Sequence, residues 1–274
     1  MIRLAVRCRP ELAERVLAEL LELAPGGVEE DSGGGWVEYA IYGPPGELPE
    51  LPALEAVAGE GLVEISSTEI PDDWADSWRD FHEPVWISDR LLVRPSWETE
   101  VSGEAEVQVV VDPGQAFGTG AHATTRMCLE LLLELADAGE AAGSLVDLGT
   151  GSGVLAIAAA RLGWAPVIAC DSEPAALEAA ASNARANSVE LDLRRLNLRE
   201  EAPPAAETVL ANLTAPLLLT VARRVGDGNP RALVCSGLLA TERGRVSSAF
   251  ADRGLRVVAQ RELGDWAALS LRRD

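Results

Sequence analysis

The sequence predicts an α/β protein: a Rossmann-like sheet of seven strands with a terminal hairpin, preceded by a small ferredoxin-like α+β domain. Three observations carry this. First, residues 145–163 read LVDLGTGSGVLAIAAARLG. Apolar positions around Asp147 suit a buried parallel strand, which carries little polar alternation. Gly149, Gly151 and Gly153 then make a tight strand-to-helix turn that lets a ligand approach bare backbone. The unpaired N–H groups opening the next helix can receive that ligand. Residues 154–162 are apolar nearly all round, as in a helix pressed on a sheet. Second, a further apolar strand, 167–170, leads into Asp171, about 20 residues past the turn, where a carboxylate meets ribose hydroxyls in this fold. Third, residues 1–70 run β-α-β-β-α-β, the order of a ferredoxin-like sandwich.

From the N-terminus, residues 2–8 alternate as a strand. Pro10 opens a helix at a favoured position, and Leu12, Val16 and Leu20 line its apolar stripe until Pro25-Gly26-Gly27 stops it. Residues 28–31 and 36–42 form a hairpin around Ser32-Gly33-Gly34-Gly35. A second helix is expected over 48–58 and a closing strand over 62–69. No residue of this domain reads as catalytic, so it is assigned to substrate recognition. Residues 71–83 form a helical linker: Trp74, Trp78 and Phe81 recur at i, i+4 and i+7 on one face and dock it onto a domain. The remaining 84–274 form the larger domain.

In that domain, 85–95 and 106–111 read as strands. Residues 112–125 read DPGQAFGTGAHATT, too rich in small residues for a buried strand. An amphipathic helix follows, with Thr124 or Thr125 as its cap. Ser172 caps a helix reaching Asn187. Residues 191–196 and 208–211 are strands, the second ending at Asn212. A helix spans 214–224, a strand 232–235 leads into Ser236-Gly237, and Thr241 caps a helix to 253. Strands 255–262 and 266–272 close the chain as a hairpin.

Composition narrows the functional classes. The chain has 274 residues, with 44 acids against 23 basic residues, net −21, and every basic residue is Arg. Such a surface repels nucleic acid and anionic membrane and favours basic partners. Cys8, Cys128, Cys170 and Cys235 are scattered and read as reduced core thiols. Two histidines, His82 and His122, are too few for a His-rich metal site, so no metal is expected. No apolar run has membrane-spanning length and no signal peptide is seen, so a cytoplasmic location is expected.

The glycine turn alone does not fix the ligand. The dinucleotide pattern G-x-G-x-x-G would need a glycine where Val154 stands. The chain instead reads D-x-G-x-G-x-G from Asp147, with Asp171 at the next strand end. This pattern resembles the S-adenosylmethionine (SAM) methyltransferases of the Rossmann-like class, class I. The ammonium and sulfonium of SAM are cationic, so nearby carboxylates attract them. Together with ANLTAP at 211–216 and the linker DDWADSWRDFHEPVWISDRLLVRPSW, the motifs DPGQAFGTGAHATT and DLGTGSGVLAIAA resemble the PrmA family, bacterial methyltransferases of ribosomal protein L11. Ala121 and Leu213-Thr214 depart from the usual pattern of that family.

The resemblance implies SAM contacts at Thr125, Gly149, Asp171 and Asn212. Asp147, Gly151, Gly153, Phe117 and Thr119, in the same two motifs, complete the cofactor candidates. Asn212 and His122 are the catalytic candidates, Asn212 orienting the amine and His122 serving as base or loop stabiliser. The family further implies N-methylation of lysine side chains and of the N-terminal amine of L11, recognised by the small domain, by an enzyme expected to be a monomer. A related methyltransferase with another protein or small-molecule substrate, and a non-catalytic SAM-binding factor, are the alternatives.

Overall fold

The computed structural model describes residues 2–13, 16–17, 29–33, 35–43, 62–69, 83–99, 103, 105–112, 120–225 and 230–273. The expected helices over 48–58 and 71–83 fall wholly or almost wholly outside these residues, as do Phe117 and Thr119. The chain divides into two compact units, Met1–Phe81 and His82–Asp274.

The first unit holds β1 (Ile2–Cys8), β2 (Glu29–Gly33), β3 (Trp36–Gly43) and β4 (Leu62–Glu69). Their spatial order is β2-β3-β1-β4, with every pair antiparallel. That order puts the first strand between the third and the fourth, as the β-α-β-β-α-β reading requires. Period-2 alternation sends Leu4, Val6 and Cys8 to one face, where they pack with Val16, Tyr39 and Ile41. Arg3 and Arg7 point to the other face, and both donate to the Glu38 carboxylate, at 2.6 and 2.5 Å. Burial alone would raise the pKa of Glu38, but the two guanidinium groups outweigh it and hold the carboxyl below its usual range.

The second unit is built on seven strands in the order β10-β9-β8-β11-β12-β14-β13. These are β8 (Leu145–Leu148), β9 (Val167–Asp171), β10 (Asp192–Arg195), β11 (Thr208–Asn212), β12 (Ala232–Leu239), β13 (Leu255–Leu263) and β14 (Trp266–Arg273). The first five in that order are parallel; β14 and β13 form the antiparallel closing hairpin. Helices α1 (Ala123–Asp137), α2 (Val154–Leu162) and α3 (Pro174–Ala186) cover one face. There Leu131, Ile157 and Ala184 meet Leu145, Ala169 and Leu210. Helices α4 (Ala215–Arg224) and α5 (Arg243–Ala251) cover the other. There Leu218 and Phe250 meet Val146, Cys170 and Leu233. All four cysteines are buried, as the core-thiol reading expects.

Strand order reverses at β8, whose neighbours are β9 on one side and β11 on the other. Ligands of open α/β sheets bind at that switch point, beyond the carboxyl ends of the strands. The site candidates Asp147, Asp171 and Asn212 all lie at those ends.

Three local expectations need correction. The expected strand 85–95 is two strands, β5 (Val85–Trp86) and β6 (Leu91–Arg94), which pair antiparallel; β6 also pairs parallel with β7 (Val107–Val110). Ser88 Oγ accepts from Arg90 N at 3.1 Å and folds the chain back. Ser172 is not the cap of α3: Glu173 takes the N-cap position without a side-chain cap bond, and its own N–H donates to Asp171 Oδ1 at 3.1 Å. Thr241 does not cap α5 either. A 3-10 turn, Ala240–Glu242, precedes that helix, and Glu242 reaches back to Leu239 N at 2.9 Å.

Candidate active site

The glycine turn leaves β8 and enters α2. Gly149, Gly151 and Gly153 have φ of 72°, 53° and 84°, a region side chains rarely adopt. Space excludes a side chain as well. A Cβ on Gly149 would sit 2.5 Å from Leu213 Cδ2, and one on Gly153 would lie 3.0 Å from Ala180 Cβ. The turn is fixed from β9, because Gly149 N and Thr150 N both donate to Cys170 O at 2.9 Å.

The two acids have different environments. Asp171 is half-buried; its Oδ2 accepts from Gly151 N at 3.0 Å and its Oδ1 from Glu173 N. It thereby holds the turn against the start of α3. Each carboxylate oxygen keeps a lone pair for a ribose hydroxyl. Asp147 is fully buried. Thr150 Oγ1 donates to its Oδ2 at 2.7 Å, and among the described residues its Oδ1 has no hydrogen-bond partner. Burial pushes its pKa up to about 7; Asp171 adds to that, while the Thr150 hydroxyl and the Ala156 N–H oppose it.

The second motif ends in α1. His122, rather than Thr124 or Thr125, is its N-cap: Nδ1 accepts from Thr124 N at 3.3 Å and lies 2.8 Å from Thr124 Oγ1. The helix starts earlier than the threonines suggest, so both lie in its first turn. Accepting from a backbone N–H needs a bare Nδ1, which places the ring proton on Nε2. Burial lowers the pKa of the ring, and Trp266 packs edge-on against it at 5.3 Å between centroids.

With capping left to His122, Thr125 is free to reach β11. Asn212 Nδ2 donates to Thr125 Oγ1 at 3.3 Å. Thr125 is buried and Asn212 half-buried. This bond joins the end of the second motif to the ANLTAP stretch at the carboxyl end of β11. The Thr125 proton stays available to an acceptor, and among the described residues Asn212 Oδ1 accepts no hydrogen bond.

Two features escaped the sequence reading. Gly237, with φ 82°, presses so close to Leu213 that a Cβ would lie 2.5 Å from Leu213 O and 2.9 Å from its N. Asn183 of α3 and Asn187, its C-cap, are both buried and bind backbone remote in sequence. Two asparagines at helical spacing on an otherwise apolar face were the available signal.

Residues 52–274 match the family profile described as ribosomal protein L11 methyltransferase (PrmA). The chain belongs to this family. A ribosomal protein L11 methyltransferase of Symbiobacterium thermophilum is 35% identical over 259 residues, 92% of this chain and 84% of the relative. One of Pelotomaculum thermopropionicum is 39% identical over 231 residues, 82% and 74% of the two chains. The crystal structure of a ribosomal protein L11 methylase from Lactobacillus delbrueckii subsp. bulgaricus superposes with a TM-score of 0.62 at 26% identity, covering 70% of this chain and all of that one. The fold of this PrmA member is that of a class I methyltransferase, and its methyl donor is SAM. The site fits that donor. The turn is bare where a side chain would block it, and the half-buried Asp171 carboxylate stands at the end of the neighbouring strand beside that turn.

Proposed function

We propose that this enzyme methylates amine nitrogens of ribosomal protein L11, on lysine side chains and at the N-terminus. The observation that carries the reading is the Asn212–Thr125 bond. It places an open amide oxygen at the carboxyl end of β11, beside the glycine turn of β8, within a chain of the PrmA family.

SAM, when bound, supplies a methyl group on a good leaving group, so alignment of the incoming amine is the main demand on the protein. The glycine turn and the N-terminus of α1 offer bare N–H groups, and the Thr125 hydroxyl can donate to a carboxylate. Asp171 accepts from ribose hydroxyls. Asn212 Oδ1 accepts from the amine and orients its lone pair. A lysine amine, with an ordinary pKa of about 10.4, must arrive without its extra proton. Desolvation in the crevice lowers that pKa. His122 acts here by capping α1 and holding Thr124 and Thr125 in register, because its Nδ1 is already engaged.

The first unit, with its ferredoxin-like strand order, is the part assigned to recognising L11. An acidic enzyme, net −21, attracts a basic substrate over tens of ångströms at low salt. A cytoplasmic, monomeric enzyme agrees with this reading; among the described residues no helix is long and apolar enough to cross a membrane.

The test is incubation of the purified enzyme with labelled SAM and total ribosomal proteins, followed by mass spectrometry of the labelled band. The reading expects label on L11 at lysine or the N-terminal amine. Label on another protein alone, or on another atom type, overturns it.

A further inference from the structure

Asp112 and Gly120, the first and last residues of the motif DPGQAFGTG, are each fixed by residues outside it. Gly120, at φ 88°, lies so near β6 that a Cβ would be 3.1 Å from Val93 Cβ. Asp112 is held on two sides. Its carboxylate takes Ser96 N at 2.7 Å and Ser96 Oγ at 2.9 Å. Its own N–H donates to Asn183 Oδ1 at 3.2 Å. The other end of the same amide, Asn183 Nδ2, donates to Ser152 O at 2.8 Å, inside the glycine turn.

A single buried side chain, 4% exposed, thus joins the root of one motif to the centre of the other. Its neighbour one helical turn on makes a useful contrast. Asn187, 1% exposed, donates to Val110 O at 2.6 Å and to Asn183 O at 2.8 Å, and accepts from Val110 N at 2.8 Å. It completes the open edge of β7 as another strand would, and it does not touch the glycine turn. Asn183 lies on α3 and Asn187 is its C-cap; the helix begins three residues after Asp171. The ribose acid, the glycine turn and the root of the second motif therefore share one rigid element.

We propose that Asn183 is a positioning residue for SAM, setting the spacing between Asp112 and the Ser152 turn, while Asn187 serves the fold alone. The proposal rests on the SAM reading of this crevice. An amide suits the task because it donates to a carbonyl and accepts from an N–H at once, in a fixed planar geometry. Buried polar groups of this kind must keep both bonds, so the spacing between the two motifs is held to the dimensions of one side chain.

The test compares Asn183→Ala with Asn187→Ala in the full chain, using calorimetric titration with S-adenosylhomocysteine (SAH) and thermal unfolding. Both variants lose stability. Asn183→Ala also weakens SAH binding by roughly tenfold, the scale of one lost hydrogen bond, whereas Asn187→Ala binds as wild type. Equal SAH affinity in both folded variants overturns the proposal. Amide hydrogen exchange on the wild type tests it independently of whether the variants fold. Peptides containing Asp112 and peptides containing Ser152 should gain protection together as SAH is added. Protection confined to the Ser152 turn overturns the coupling. Absence of any SAH binding by the wild type overturns the SAM reading, and the proposal with it.

Discussion

Asn212 and Thr125, 87 residues apart in the chain, meet through a 3.3 Å bond between the end of β11 and the first turn of α1. Each would have an ordinary local role alone, as a strand end and a helix-start residue. Together they tie the carboxyl end of β11 to the first turn of α1. This pairing separates the demands of binding from those of alignment.

The first prediction follows from that separation. Asn212→Ala keeps the glycine turn and Asp171, so SAM affinity stays within a few-fold of wild type. It removes the acceptor that orients the amine, and kcat falls by roughly a hundredfold, the scale of a lost positioning contact. Single-turnover kinetics with calorimetry separate the two quantities. Wild-type turnover in this variant removes Asn212 from the mechanism.

Asp171→Ala acts in the opposite sense. It removes the ribose acceptor and frees Gly151 N and Glu173 N from their partner. SAM affinity should fall by about 10- to 100-fold, consistent with losing one or two hydrogen bonds to a charged group. Unchanged affinity by calorimetry contradicts the ribose assignment.

The environment of Asp147 sets a pH dependence. Its folded pKa is raised from 3.8 to about 7, so the native state prefers the neutral acid. An acid raised in this way costs the ligand-free fold nothing below its unfolded pKa. The cost grows as pH climbs between the two values and is complete above the folded one. Asp147→Asn carries no charge and should stabilise the ligand-free protein by roughly 2–4 kcal/mol at pH 8 relative to its effect at pH 4. The same variant should bind SAM more weakly. Thermal unfolding at the two pH values checks the first statement and calorimetry the second; a stability change independent of pH contradicts the buried-acid account.

Gly237→Ala tests the backbone approach behind Asn212. A methyl group there meets Leu213 backbone atoms at 2.5–2.9 Å, at φ 82°. Strain and displacement should cost about 2–4 kcal/mol of stability. Because Leu213 follows Asn212 directly, kcat should fall even at temperatures where the variant is folded. Urea unfolding together with kinetics at low temperature reads both effects.

The parts legible in the sequence were those set by local rules. The β8–turn–α2 unit follows from apolar runs and three glycines that need positive φ. The strand order of the first unit agrees with its β-α-β-β-α-β reading. Legibility failed where a distant partner decides. Asn187 and Asn183 resemble solvated helix positions until Val110, 77 residues from Asn187, and Asp112, 71 residues from Asn183, are folded against them. Thr124 and Thr125 are good caps by type, yet His122 takes the position because the helix starts two or three residues earlier. The N-cap positions of α3 and α5 likewise fall on Glu173 and Glu242, neither with a side-chain cap bond, rather than on the expected serine and threonine. The sequence named the chemistry of the crevice; side chains on neighbouring elements determine its dimensions.

The most direct measurement of the central claim is a calorimetric titration of the purified chain with SAM and, separately, with a nicotinamide dinucleotide. The account predicts one SAM site per chain, weakened in Asp171→Ala and retained in Asn212→Ala, and no heat from the dinucleotide. Dinucleotide binding in place of SAM, or SAM binding indifferent to Asp171, would contradict it.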